Sequence, residues 1–506
     1  MTRPALIPLA CIAAATSAGA ADYLTLIAKP TAEYPAWKQV GTKLAAIHQG
    51  SCEAWDGTEA GLAATLKKHQ PRYLAIIAKP ETFDAPTVRA INRATRQADD
   101  DPWTDCRWGL ITGNTAADAL RLVETRKPLV IERALATTGI DLGLVDSALV
   151  LSDGGKGGLT RKAPGGKPEN GKWSDTTDPG GTVTLFADFW DKSDPQLLVT
   201  SSHATQFNLE MPFGLGLIAS HGGKFHVLTM QQREKFARFL GGAMFTGKVD
   251  ELGKWIDSTH APTLKASNGT PRVWVASGNC LIGDAKKTGE SMVATALSTS
   301  GFRQFVGYVV PTWFGRGGWG VSGLWQGSKG GLSLSEAFYL NQQGLIDETI
   351  RRFPGAEKVV FDSDDIETGL KNDRKFLEGL HGLEQGGMKI EKDTVGLIHD
   401  RDVVAFWGDP LWDARFDAKR MPHPIESVWS KNGSDLTLTL TARSDYDGGY
   451  PLWLPERVEK PTLKLPKGSS IDALAADDFL LIRKLTLKAG ETVVVKIGKA
   501  TPSAKS

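Results

Sequence analysis

Net charge is almost absent from this chain. Its 506 residues carry 59 Lys and Arg against 58 Asp and Glu, a formal charge of +1. So close a balance argues against broad electrostatic binding to nucleic acid or to an anionic membrane surface. Long apolar runs are absent as well. No stretch beyond the N-terminal twenty residues is long enough to span a bilayer, so no membrane span is expected. There is no internal repeat and no low-complexity tract, which excludes a repeat array. What is present is ordinary for a soluble globular protein: 41% hydrophobic and 23% charged residues. The length allows about two to four domains.

Cysteine is scarce too, at four residues, and the N-terminus decides how many of them count. Arg3 supplies a positive start, Ala5 to Ala15 a short apolar region, and Ala18-Gly19-Ala20 a small-residue cleavage site. Residues 1–20 therefore read as a signal peptide, and the mature chain, starting at Ala21, is expected to be secreted or periplasmic. A lipoprotein reading at Cys11 is weaker, because Pro8 stands where an aliphatic residue is expected. Without Cys11, three cysteines remain: Cys52, Cys106 and Cys280. An odd number cannot pair completely within one chain in an oxidising compartment. Cys52 and Cys106 fall in one N-terminal region and are expected to form a disulfide, which leaves Cys280 free.

Residues 22–126 alternate strand and helix, with strands at Tyr23 to Ala28, Tyr73 to Ala78 and Arg107 to Thr112. Helices are expected over Pro35 to His48, Glu59 to Lys68, Pro86 to Gln97 and from Thr115, which stands at capping-box spacing from Asp118. The alternation implies a parallel sheet covered by helices. Ser147 to Leu151 reads as a strand, and the Gly- and Pro-rich segment 154–181 as a surface loop. A hairpin turning at Gly222-Gly223 follows, then helices at Gln231 to Leu240, Val249 to Ile256 and Glu290 to Ser298. Phe305 to Val310 is a strand, Pro311 to Gly320 a loop and Ser333 to Arg352 a helix, while Val395 to Ala405 contains strand-like pieces. Past about Met421, short strands alternate with turns and no helical pattern remains, as in a small antiparallel β-sandwich.

Two stretches carry the chemistry. Arg272-Val-Trp-Val-Ala-Ser-Gly-Asn-Cys280 is an apolar run that breaks and delivers a cysteine, and Gln196-Leu-Leu-Val-Thr-Ser-Ser-His203 has the same form. Each reads as a buried parallel strand with a reactive group just past its carboxyl end. A thiol and an imidazole on one edge of one sheet form the geometry of a cysteine nucleophile and its histidine partner. A lone cysteine is more often a buried inert thiol; the matching histidine argues against that here. His221 competes with His203, but it falls in the hairpin turn whereas His203 ends an apolar strand. His221 and His226 as a metal pair lack further ligands, so no metal site is expected.

Taken in order, several segments resemble the gingipain-type cysteine peptidases of the caspase-like class. They are Pro71 to Ala78, Trp108 to Leu120, Ser202-His203, Asn279-Cys280 with Gly283 beyond, Glu290 to Gly307, and Trp407-Gly-Asp-Pro410. The resemblance spans about residues 22–415. It implies an α/β fold with a caspase-like, mostly parallel sheet flanked by helices, followed by a C-terminal all-β sandwich domain. The expected divisions are residues 21–126, an N-terminal α/β subdomain; 127–415, the catalytic subdomain; and 421–500, the sandwich. It further implies a secreted cysteine endopeptidase acting on protein or peptide substrates through Cys280 and His203. The amides of Ala204 and Cys280 would form the oxyanion hole, and Asp153 and Trp313 would contact substrate. An ordinary turn aspartate is the plainer reading of Asp153. No cofactor is required, and structural calcium is compatible with the resemblance. Two departures stand out: Ala204 replaces the family's glycine after the histidine, and Asn279 replaces the alanine that often precedes the cysteine. The gap of 77 positions from His203 to Cys280 is also longer than the family's. Ala204 and this insertion favour the alternative, a catalytically inactive surface or binding protein, whereas the unpaired cysteine after a strand favours catalysis.

Overall fold

Fully buried apolar runs set the centre of the molecule, and polar edges end it. The computed structural model describes residues 22–153, 158–172, 181–229, 231, 249–267, 269–286, 289–433 and 435–499. The expected signal peptide at 1–20 lies outside the described residues, as does the helix expected at Gln231 to Leu240 apart from its first residue. The first four strands are β1 (Tyr23–Ala28), β2 (Ser51–Trp55), β3 (Tyr73–Ile77) and β4 (Arg107–Ile111). Next come β5 (Leu129–Ile131), β6 (Arg133–Ala136), β7 (Ser147–Leu151), β8 (Gly158–Lys162), β9 (Glu169–Lys172) and β10 (Leu197–Thr200). A small antiparallel sheet holds β11 (Asn208–Glu210), β12 (Leu217–His221) and β13 (Lys224–Leu228). Then follow β14 (Arg272–Ala276), β15 (Phe302–Tyr308), β16 (Val404–Trp407) and β17 (Ala414–Phe416).

The central sheet has twelve strands in the order β2-β1-β3-β4-β16-β15-β14-β10-β6-β7-β8-β9. One parallel block comprises β1 to β4 and β16. A second comprises β15, β14, β10, β6 and β7. The blocks meet antiparallel where β15 pairs with β16. The carboxyl ends of the two blocks therefore lie at opposite edges of the sheet. β3, β4, β7, β10 and β14 are buried along their whole length, because helices cover both faces. Thr115 caps its helix with the expected capping box, reciprocated by Asp118.

Four expectations are corrected. The stretch expected as a loop over Pro311 to Gly320 is helical from Arg316, in a helix that runs Arg316–Gly327. The segment 158–172 is not a loop: β8 and β9 form a hairpin that extends the sheet antiparallel, and its Lys, Arg, Glu and Asn residues are those of an edge. Residues Lys392–Asp402 are a helix, not strand-like pieces; almost every one of them is buried, so no polar face shows the helical period. Cys52 and Cys106 are both free. Cys52 stands on β2 and Cys106 just before β4, three strand positions apart, roughly 14 Å. A disulfide needs its Cα atoms within about 7 Å.

The C-terminal part has seven further strands. β18 (Ile425–Asn432), β19 (Asp435–Ala442), β20 (Tyr446–Trp453), β21 (Pro461–Lys464), β22 (Asp472–Ala476), β23 (Phe479–Leu487) and β24 (Thr492–Lys499) form two antiparallel sheets, β18-β19-β24-β21 and β20-β23-β22. β19 alternates strictly, with Leu436, Leu438, Leu440 and Ala442 inward. These side chains share one apolar cluster with Leu480 and Ile482 of β23, so the sheets face each other across it. The unit docks on the central sheet through Arg72, which donates to Asp478 at 2.6 Å and to the Leu454 carbonyl at 2.6 Å. No described helix is long and apolar enough to cross a membrane.

Candidate active site

β10 and β14 are neighbours and parallel, in a register that pairs Leu197 with Val273 and Thr200 with Ala276. His203 comes three residues after Thr200 and Cys280 four after Ala276, so both loops leave the same edge of the sheet. The loops that carry Asp153, after β7, and Trp313, after β15, leave that edge as well.

Buried hydrogen bonds hold the two central loops together. The Ser277 amide donates to the Thr200 carbonyl at 2.8 Å, extending the ladder one step past both strands. Trp274 Nε1 donates to Thr200 Oγ1 at 2.8 Å, and Thr200 donates to Asn279 Oδ1 at 2.5 Å. Asn279 Nδ2 then donates to the Ser202 carbonyl at 2.9 Å and to Ser202 Oγ at 3.1 Å. Thr200 and Asn279 are fully buried. The residue before the cysteine is thereby bonded to the residue before the histidine. Farther out, Gln206 Nε2 donates to Asp284 at 3.2 Å, and the Met292 amide donates to the Gln206 carbonyl at 2.7 Å.

Cys280 is half-buried, and its Sγ accepts the Thr312 amide at 3.3 Å. Leu281 behind it has φ +60°, in the left-handed region that side chains rarely adopt, and is held by donating to the Val310 carbonyl at 3.2 Å. His203 is exposed. Ala204 is buried and forms a bridge with Leu209, flanked by bonds from the Glu210 amide to the His203 carbonyl and from the Thr205 amide to the Asn208 carbonyl. In such a pair the central residue's own N–H points away from its partner strand. Ala204 is not among the residues with positive φ, so a side chain costs nothing there.

The N-terminal turns of the Arg316–Gly327 helix pack on the same loop. A Cβ on Gly318 would lie 2.2 Å from the Ser277 carbonyl oxygen, and one on Gly278 would lie 2.4 Å from Ser201 Oγ and 2.9 Å from Trp319 Nε1. At Gly318 the neighbour is backbone, so only glycine permits the approach; at Gly278 a side chain would have to displace Ser201 and Trp319. Trp319, 41% exposed, also walls a cavity of about 540 Å³ with Phe314, Arg316 and Glu348.

The remaining candidates have other partners. The Asp153 carboxylate accepts the Phe213 amide at 2.7 Å, anchoring a turn in which Phe213 has φ +60°. Trp313 is half-buried, stacked on Phe314, with the Lys392 ammonium 5.4 Å from its ring. His221 ends β12 between two carboxylates, Glu290 at 2.9 Å from Nδ1 and Asp257 at 3.3 Å from Nε2. Partial burial lowers its pKa, but the bonds to Glu290 and Asp257 outweigh this and raise it. Among the described residues, one trio, Asp99, Asp105 and Asp477, brings three carboxylates within 4.8 Å of one another.

No protein-family model matches the chain, and no curated protein matches it. Among solved structures, one described as "Structure of Protease" is 9% identical with a TM-score of 0.36, covering 95% of this chain and 97% of that one. Isomaltulose synthase from Erwinia rhapontici NX5 gives 0.12 at 11% identity, covering 95% of this chain and 98% of that one. The isomaltulose synthase of Klebsiella sp. LX3 gives 0.13 at 10% identity, covering 95% and 99%. Likenesses this slight carry no argument about activity, so the functional reading rests on the site itself.

Asn279, Thr312 and Trp319 were not singled out as site residues by sequence reasoning. Asn279 had left a signal, as a polar residue where the resembled family often has alanine. Nothing local marks Thr312, whose amide meets the sulfur only through the pairing of β14 with β15.

Proposed function

We propose that the chain is a cysteine endopeptidase of the caspase-like kind, exported after cleavage before Ala21, with Cys280 as nucleophile and His203 as proton donor. The observation that carries this reading is the adjacency of β10 and β14, with their loops cross-bonded through Asn279. Adjacent parallel strands put a thiol and an imidazole on one edge, as nucleophilic catalysis requires.

In this mechanism Cys280 gives its thiol proton to His203, and Sγ attacks the peptide carbonyl carbon as the carbonyl electron pair moves to oxygen. The Ala204 and Cys280 amides hold that oxyanion; the extended backbone of Ala204 favours catalysis over the inactive alternative. His203 gives a proton to the leaving nitrogen as the C–N bond breaks, leaving a thioester on Cys280. Water then attacks the thioester, His203 takes its proton, and the thiolate departs. Thiol and imidazole suffice for these steps without a cofactor. The Trp319 cavity beside the loop offers room for a substrate side chain. The carboxylate of Asp153, engaged by Phe213, serves the fold of its loop. The calcium compatible with the resemblance would find oxygen donors at Asp99, Asp105 and Asp477.

The test is hydrolysis of a protein substrate, together with labelling by a thiol-directed peptide probe. Cys280→Ala should abolish both. His203→Ala should lower hydrolysis by about 10²–10⁴-fold, and His221→Ala should change it little. Full activity in Cys280→Ala would end the proposal; loss in His221→Ala with His203→Ala unaffected would move the proton donor to His221.

A further inference from the structure

The far end of the Arg316–Gly327 helix, away from the Cys280 loop, closes a second cavity of about 420 Å³ against the C-terminal sandwich. One wall is the helix itself, bare at Gly323 and Gly327: a Cβ on either would meet no atom within 4 Å. The two positions are one turn apart and share a face. Glycine is among the poorest helix formers, and no neighbour demands it at either place, so packing within the protein does not account for the bare face. The opposite wall is aromatic. His423 lies with its ring centroid 5.5 Å from that of Tyr446 and 5.0 Å from that of Tyr450.

The chemistry of the lining narrows the ligand. Lys329 is its one charged residue and is paired with Asp141. Arg443, which bears on His423 from nearby, is paired with Glu426 at 3.2 Å. Burial pushes the His423 pKa down, so the ring is neutral. Nothing here awaits an anion or a cation. The hydroxyls are engaged as well: Tyr446 donates to the Gly449 carbonyl at 2.6 Å, Tyr450 to Ser427 Oγ at 3.2 Å, and Ser328 to the Trp325 carbonyl at 2.7 Å. A sugar, which needs many polar partners, is poorly served. His423 Nδ1 is taken up by Ile425, whose amide lies at 3.0 Å and whose carbonyl lies at 3.2 Å, so the ring's remaining polar atom is Nε2.

We propose that this cavity binds a small neutral molecule with one flat aromatic ring, slotted between the bare helix face at Gly323 and Gly327 and the rings of His423, Tyr446 and Tyr450. The volume suits a single small ligand, since such pockets run from about 300 to 1,000 Å³.

Indole is the probe, titrated into the full chain by calorimetry and by saturation-transfer NMR. It should bind saturably with a dissociation constant on the order of 1 mM or tighter. Gly327→Leu places a side chain in the slot and should weaken binding at least tenfold, with an unfolding midpoint no lower than that of the unaltered protein. Tyr450→Leu, which removes a ring face without filling the slot, should also weaken it and serves as the readout if Gly327→Leu does not fold. Absence of saturable binding, or equal binding by the unaltered chain and either folded variant, would overturn the proposal. So would tighter binding of methyl glucoside, which would make the slot a sugar site, or of N-acetyl-tryptophanamide, which would make its occupant a peptide side chain.

Discussion

Asp284 is buried four residues beyond Cys280 and accepts hydrogen bonds from Gln206 Nε2 and from the Lys286 amide. Burial pushes its pKa up to about 6, although both of those bonds work the other way. In the unfolded chain an aspartate ionises near about 3.9. Between these values the folded protein holds a proton that the unfolded chain has released. Stability from this group is therefore greatest below about pH 4, falls as pH rises through about 6, and stays lost above that. Asp284→Asn removes the ionisation and keeps both bonds once the Gln206 amide flips. It should raise stability at pH 7 by about 1–3 kcal/mol and change it little at pH 4, as read from denaturant unfolding at both pH values. At this scale the sequence showed which residue types stood after which strands, but not their partners. Asp153 read more plainly as a turn aspartate than as a substrate contact, but the bond that engages it comes from Phe213, sixty positions away.

The loops after β10 and β14 form one unit rather than two, and Asn279 is the reason. Its amide bonds to Thr200 and to Ser202 lie in the interior, where an unpaired group costs about 1–3 kcal/mol. Asn279→Ala should cost a similar amount of stability. It should lower kcat about 10–100-fold with little change in KM, because misplacing a catalytic group by an ångström has that effect; steady-state kinetics and thermal unfolding check both. Single elements were largely legible. β14 declares itself as five buried residues bounded by a turn, and the hairpin at Gly222 and Gly223, both with positive φ, by its turn residues. The Lys392–Asp402 helix was not, because burial on all sides erases the periodicity that marks a helix. β6, at the heart of the second block, is four residues long and offers too little pattern to read.

For the whole molecule, the arrangement of the sheet was beyond local reading. The antiparallel seam joins β15 to β16, whose residues lie about a hundred positions apart, and this seam puts the carboxyl ends of the two blocks on opposite edges. The same non-local order separates Cys52 from Cys106, which sequence proximity had suggested as partners. The antiparallel C-terminal sheets were foreseen, but their docking was not: Arg72 and Arg457 converge on the fully buried Asp478, and Trp453 lies under the Arg72 guanidinium at 4.6 Å. In the proposed mechanism the second block is the scaffold, since its edge carries both the thiol and the imidazole loops. The most direct measurement of that claim is intact-mass analysis during reaction with a p-nitrophenyl peptide ester. Such a leaving group needs no proton, so acylation of Cys280 should survive His203→Ala, whereas hydrolysis of the thioester, which needs a base, should not. The unaltered protein should turn the ester over. His203→Ala should release one equivalent of nitrophenol and retain the acyl group on Cys280, and Cys280→Ala should do neither. An adduct on Cys52, or continued turnover in His203→Ala, would contradict the pairing of Cys280 with His203.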